Sequence, residues 1–222
     1  MALDSLLASS LRRSLVASVL IFGLAGGARA GVEEDYAAGL LSYQRADFAT
    51  AIPVLRKAAD AGHAQSQALL ASILDAADQD EEAVAYYRKA AASGNLDGIF
   101  GLGTMFAAGE GVAKNVVEAR KLYTRAAEAG HKPAIAALAA GYIHGDLGIP
   151  ESERKGSDAL KWITSAADDG FVTALEALEA AHRTGGYGLS VNIAKADEYR
   201  KKLDALKGIK ERKGRRRSGE KQ

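Results

Sequence analysis

The feature that most constrains this chain is a stretch that returns along most of its length. Residues 118–130 read Glu-Ala-Arg-Lys-Leu-Tyr-Thr-Arg-Ala-Ala-Glu-Ala-Gly. Their shared core is an Ala, an Ala-Ala pair starting seven residues later, and a Gly four residues beyond the start of the pair. It occurs as Ala51…Ala58-Ala59…Gly62, Ala83…Ala90-Ala91…Gly94, Ala119…Ala126-Ala127…Gly130 and Ala159…Ala166-Ala167…Gly170, so that the glycines lie 32, 36 and 40 residues apart. A fifth, degraded copy runs Ala196…Leu203-Asp204, with Lys207 where the Gly would stand. Periods of this size mean stacked supersecondary units. Such units bury their surface against neighbours and form one array.

The pattern within a period predicts a helical hairpin. The segment Glu33 to Arg45 reads as a helix with Tyr36, Leu40 and Tyr43 on one face. Asp47 is a suitable N-cap for the next helix, which Gly62 closes by taking the left-handed conformation. Counted from each closing Gly, three columns recur. Four residues on stand the small Ser66, Gly98, Ala134 and Ala174; eight on, Leu70, Leu102, Leu138 and Leu178; twelve on, Leu74, Phe106, Tyr142 and His182. Small and large stripes side by side let one helix settle on the next. Fifteen on lie Ala77, Gly109, Gly145 and Gly185, where three glycines end the first helix of a pair. The second helix begins four residues before its key Ala, at Asp47, Gln79, Asn115, Lys155 and Asn192. Its bulky residues are Val54-Leu55, Tyr86-Tyr87, Leu122-Tyr123, Trp162-Ile163 and Tyr199-Arg200. Pro53 and Pro133 are placed near helix starts and Pro150 in a loop.

From Leu96 to Gly130 the text resembles a Sel1-like repeat, a relative of the tetratricopeptide repeat with a longer, Gly-containing turn. The resemblance rests on Gly109-Glu110-Gly111-Val112, Ala119, Tyr123 and Ala126-Ala127. The repeat closing at Gly170 fits with an insertion from Gly145 to Gly156, and the one beginning at Phe171 keeps Gly185 and Ala196. The units ending at Gly62 and Gly94 have short turns and look more like ordinary tetratricopeptide units. The resemblance spans roughly 34–207 and implies an all-α fold, a right-handed α-solenoid of about five helix-turn-helix repeats. The array is expected over 31–206, flanked by a leader over 1–30 and a basic, disordered tail over 207–222.

The leader has an export pattern. Arg12-Arg13 precede the apolar run from Leu15 to Ala25, and Ala28-Arg29-Ala30 is an A-x-A cleavage site. The run is shorter than the ~20 residues that span a bilayer. A cleaved signal is the reading, with an uncleaved anchor as its alternative; after cleavage no span is left, and the expected location is periplasmic or secreted in a bacterium. Charge is unevenly shared: the last sixteen residues hold eight basic and two acidic side chains, while 31–206 is net −7. Such a tail cannot offset its own ordering entropy. Arg215, Arg216 and Arg217 are its densest charge. They are a solvated terminus or a contact for an anionic envelope component; nucleic acid ranks last, because no stacking aromatics accompany them.

Signs of chemistry are weak. There is no Cys, which removes disulfide and thiolate-metal frameworks. The four histidines, His63, His131, His144 and His182, are scattered; the first two read as turn residues and His182 as a satisfied packing residue. Gly101-x-Gly103 lacks the strand and third Gly of a dinucleotide loop, and the repeat accounts for both as close-contact positions. No catalytic, cofactor or metal residue is therefore assigned. Positions six and thirteen after a closing Gly should face outward on the concave side lined by first helices. Phe100 and Ile143 stand there; exposed, they would mark a protein-binding patch, and in a shifted register they would be core. The resemblance implies a non-catalytic adaptor that holds a protein partner in the cell envelope. The alternative is a periplasmic inhibitor or immunity-type protein, with an enzyme behind both.

Overall fold

A computed structural model describes residues 30–219, with side chains described over 30–208. The predicted leader lies outside that range except for its last residue, Ala30. Among the described residues there are ten α-helices and no strand. The first, α1, covers 30–44. It is followed by α2 (Phe48–Asp60), α3 (Ala64–Asp75), α4 (Asp80–Ala92), α5 (Leu96–Ala108), α6 (Val116–Glu128), α7 (Lys132–His144), α8 (Ser157–Asp168), α9 (Val172–Thr184), a 3₁₀ turn at Gly186–Gly188, and α10 (Ile193–Gly219). The helices pair as five consecutive hairpins. Two compact units divide between Gly98 and Ile99. In the first, α3 packs on both α2 and α4; in the second, each helix from α6 to α10 packs on the next, and α7 also meets α9.

The recurring Ala-Ala…Gly core has a direct structural cause. The closing glycines Gly62, Gly94, Gly130 and Gly170 have φ of +92°, +79°, +84° and +82°. In each copy the N–H of the Gly bonds the carbonyl of the second Ala, and the next N–H bonds that of the first. For the third copy these are Gly130 to Ala127 at 2.9 Å and His131 to Ala126 at 3.0 Å. This is a Schellman closure, which pairs carbonyls a helix end would leave orphaned. The Ala side chains lie underneath: Ala58, Ala90, Ala126 and Ala166 are fully buried.

The residue after each Gly then starts the next helix. The side chains of His63, Asn95 and His131 accept the backbone N–H of Ser66, Gly98 and Ala134 at 3.2, 2.8 and 3.3 Å. His63 and His131 are thus N-caps, a sharper role than turn residue; Phe171, in the fourth copy, makes no such bond. At the second helices Asp47, Asn115 and Asn192 cap as predicted, accepting from Thr50, Glu118 and Lys195 at 3.1, 3.0 and 3.0 Å. Gln79 gives no side-chain cap. Lys155 is not the cap either, because the insertion delays α8 by one residue and Gly156 occupies that place.

Turn length varies, yet the anchor does not. The cap N–H of Gln79, Asn115 and Asn192 donates to the carbonyl of Leu74, Phe106 and His182, all members of one sequence column, at 2.9, 2.8 and 2.7 Å. The two short turns use Ala46 (φ +58°) and Asp78 (φ +56°); the longer ones use Gly109, Gly145 and Gly185.

The predicted columns form the core. Ser66, Gly98, Ala134 and Ala174 are buried, as are Leu70, Leu102, Leu138 and Leu178. Three placements differ. In α1 the buried position is Gly39, lying against Leu55, and Tyr43 is 39% exposed, because the helix turns its smallest residue inward to approach α2. Phe106 is half-buried while its neighbour Met105 is fully buried. Pro53 lies inside α2, past its first turn. In the last hairpin Ala196 and Leu203 are fully buried, and without a closing Gly α10 runs on to Gly219.

Candidate functional site

Phe100 and Ile143, the two outward positions singled out in the sequence, are both half-buried, between the exposed and the core alternatives. Phe100 leaves α5 toward two rings. Its centroid is 5.2 Å from that of Tyr123 on α6 and 5.1 Å from that of His131 at the start of α7, both tilted. Offset aromatic contacts of this kind hold a ring in place. Tyr123 is fixed in turn: its hydroxyl donates to Thr104 Oγ1 at 3.2 Å, and burial raises its pKa. The close approach comes from Gly103, where a Cβ would meet the Tyr123 ring at 2.8 Å. That confirms the close-contact reading of this glycine. A one-sided aromatic step results, anchored below and open above.

Ile143 belongs to a different feature. It lines a groove of about 440 Å³ bounded by the end of α7, by α9, by the insertion after Gly145 and by the 3₁₀ turn. Phe100 is not among its lining residues, so the two predicted positions do not form one pocket. The apolar wall is Ile143, Ala177, Ala180 and Ala181, with Tyr142 and Tyr187 at its ends. Tyr187 holds φ of +54°, an unusual conformation for a bulky residue. The groove's charged lining residues are Glu151, Arg154 and Lys155.

Glu151 and Arg154 were not singled out in the sequence and Lys155 only as a helix start, although the insertion that carries them was noted. Two adjacent cations in a segment foreign to the repeat were the available signal.

A second concavity, about 530 Å³, lies over α6 and α8 and is lined by Arg120, Lys121, Glu128, Glu153, Asp158 and Lys161 among others. Three of its cations already have partners. Arg120 pairs with Glu153 at 3.7 Å, Lys121 with Glu118 at 3.2 Å, and Lys161 sits 4.2 Å over the Trp162 ring.

At the last hairpin Glu179, 6% exposed, receives Arg183 at 2.9 Å and Arg200 at 2.8 Å, while Arg183 also holds Asp197 at 2.9 Å. The hydrogen bond from Arg183, followed by those from Arg200, pulls the Glu179 carboxyl below its ordinary range despite burial. This network clamps α10 to α9. Beside it His182 is 7% exposed and stacks on Tyr199 with centroids 5.7 Å apart. It is a packing residue, as expected, but not a satisfied one, for its Nδ1 is buried without a partner among the described residues. Burial lowers its pKa, and Lys195 lowers it further.

Among the described residues no three or more His, Asp or Glu side chains gather as a metal would require. No described helix is long and apolar enough to cross a membrane. The side chains of Arg215, Arg216 and Arg217 lie outside the described residues, and only the helical backbone of α10 is given there.

Comparison with known proteins agrees with this anatomy. The Sel1 repeat pattern matches residues 66–95, 96–131 and 133–171. A crystal structure of a Sel1 repeat protein from Oxalobacter formigenes is similar with a TM-score of 0.62 and 26% identity, over 78% of this chain and 70% of that one. A protective antigen of uropathogenic Escherichia coli strains displaying an SLR fold gives 0.71 and 25% identity, over 83% of this chain and 40% of that one. In sequence the chain is 32% identical over 131 residues to an exopolysaccharide production negative regulator of Rhizobium meliloti (strain 1021), covering 54% of this chain and 48% of that protein. It is 35% identical over 86 residues to the DAP3-binding cell death enhancer 1 of Rattus norvegicus, covering 38% of this chain and 17% of that protein. The chain therefore spans less than half the length of either curated relative.

Proposed function

From the fact that the chain is a Sel1-like repeat protein, built from modules that generally bind proteins and do not catalyse, we propose that it is a non-catalytic scaffold of the bacterial cell envelope, exported there and holding a protein partner on the face lined by its first helices. The observation that carries the binding role is the aromatic step at Phe100. Its ring is braced by Tyr123 and His131 and yet remains partly open. A pre-positioned aromatic loses little freedom on binding, which is why such residues dominate interface energies. Ile143 supplies a second apolar contact, and Arg215, Arg216 and Arg217 supply charge for an anionic envelope component.

Two observations support the envelope setting. One is the basic, apolar, A-x-A order of residues 1–30. The other is similarity to a protein named as a regulator of exopolysaccharide production. The inhibitor reading keeps the same surface and replaces the scaffolded partner with a single enzyme.

Crosslinking in living cells, followed by fractionation and mass spectrometry, tests the proposal. The expected outcome is periplasmic or secreted protein joined to several envelope proteins, with Phe100→Asp reducing the crosslinks while the helical melt is unchanged. Protein retained in the cytoplasm would overturn the location. A lone stoichiometric enzyme partner whose activity is abolished would favour the inhibitor. A melt that collapses in Phe100→Asp would return Phe100 to the core.

A further inference from the structure

We infer that the groove between α7 and α9 takes an acidic peptide segment of the partner, one in which a Glu or Asp side chain stands next to an apolar one. This deepens the scaffold reading and rests on it. The first ground is the condition of Arg154. Its guanidinium lies against Gly145, so closely that a Cβ there would strike Nη1 and Cζ. That position is the C-terminal end of α7, where unpaired carbonyls favour a cation, and Gly145 at φ +83° leaves the room. The guanidinium therefore already lies at the end of α7 before any ligand arrives. Its Nε nonetheless is buried with no hydrogen-bond partner among the described residues. That atom is out of a ligand's reach, but the residue as a whole is half-buried, so part of its side chain is open to an acceptor.

The second ground is charge. Arg120, Lys121, Lys132, Arg183, Arg200 and Lys207 of the same unit all have carboxylate partners. Arg154 and Lys155, like Lys114, Lys161, Lys195, Lys201 and Lys202, have none among the described residues, and of these Arg154 and Lys155 line the groove. Glu151, which also lines the groove, leaves one positive charge in excess. The third ground is shape. Ile143, Ala177, Ala180 and Ala181 line the same groove as the cations and give an apolar side chain a surface to pack on. The volume, about 440 Å³, is within the range of sites that hold a few residues of peptide. A carboxylate on Arg154 and Lys155 makes charge-assisted hydrogen bonds, which are stronger than neutral ones.

The test uses the purified full chain, isotopically labelled, and three tripeptides titrated to a few millimolar. They are acetyl-Glu-Leu-Ala-amide, its Gln counterpart, and acetyl-Gln-Leu-Ala with a free C-terminal carboxylate. The expected result is saturable shifts at Ile143, Ala180 and Tyr187 with the first peptide. Binding should be about tenfold weaker for the Gln counterpart and for Lys155→Glu or Arg154→Gln, and it should weaken with salt. Lys155 is exposed, so its variant remains interpretable if Arg154→Gln disturbs the insertion. No saturable shift up to the highest concentration, equal binding of the Glu and Gln peptides, or unchanged binding by Lys155→Glu would each overturn the inference. Binding of the free-carboxylate peptide alone would also overturn it, in favour of C-terminus recognition. Partner crosslinks that survive Lys155→Glu and Arg154→Gln leave the scaffold intact and remove only the groove; absent crosslinks with saturable peptide binding do the reverse.

Discussion

Replacing Gly98 with Ala tests the packing logic of the repeat at its tightest point. Gly98 belongs to the column of small residues, and a Cβ there would strike the Ala90 Cβ and come within 3.0 Å of the Ala91 nitrogen and 3.1 Å of the Ala90 carbonyl carbon. Two of these three atoms are backbone, so relief requires moving α4 as a body. Overpacking of this kind costs about 1–3 kcal/mol. Ala is the better helix former by up to ~1 kcal/mol, but Gly98 lies in the first turn of α5, where the gain is smaller. The net is a loss of about 1–2 kcal/mol, and in a chain of this size each kcal/mol shifts Tm by ~2–4 °C. Thermal unfolding followed by far-UV circular dichroism should therefore show Gly98→Ala melting roughly 2–8 °C below the parent. Gly103→Ala is the internal comparison. Its new Cβ meets the Tyr123 ring at 2.8 Å and the Leu122 Cβ at 3.3 Å, both side-chain atoms, and the ring can tilt. It should lose less than Gly98→Ala. If both variants melt at or above the parent, helix propensity governs these glycines, and close backbone approach is not what the column is for.

Two further outcomes follow from the turns and the last hairpin. Gly130 has φ of +84° with nothing within 4 Å of a built Cβ, so Gly130→Ala isolates backbone strain; it should cost about 1–2 kcal/mol, and Gly130→Asn should lose less in the same melt, since Asn tolerates the left-handed region. For His182, burial and then Lys195 hold the folded pKa below the ordinary 6.5, so the unfolded state binds more protons in the window between them. Stability is complete above about 6.5 and declines as pH falls toward the lowered value. Between pH 7.5 and 5.5 the parent should lose more Tm than His182→Gln does, and equal slopes would refute the assignment.

The Ala-Ala…Gly core, the two kinds of turn and the columns of Leu and small residues were all readable in the text. Each is enforced locally or by a fixed helical offset. The Gly must take positive φ, its N–H must find the Ala carbonyl, and a residue four further on must repeat the face. Where local rules ran out, the reading slipped. His63 and His131 passed for turn residues because an imidazole cap is a rare choice, although its Nδ1 accepts as an Asn oxygen does. In α1, Tyr36, Leu40 and Tyr43 carried the apolar period, but the need to approach Leu55 closely turned Gly39 inward instead.

The sequence by itself determined that helical hairpins stack, where each begins and closes, and which side chains meet in the seam, since those outcomes depend on backbone conformations and spacings that one repeat can encode alone. Only the tertiary structure decided what the outward positions became. Phe100 found Tyr123 and His131 from two other helices, while Ile143 found a wall of α9 and the cations of an insertion. Such neighbourhoods are set by how side chains from two or three different helices converge in space, which the spacing along one helix does not specify.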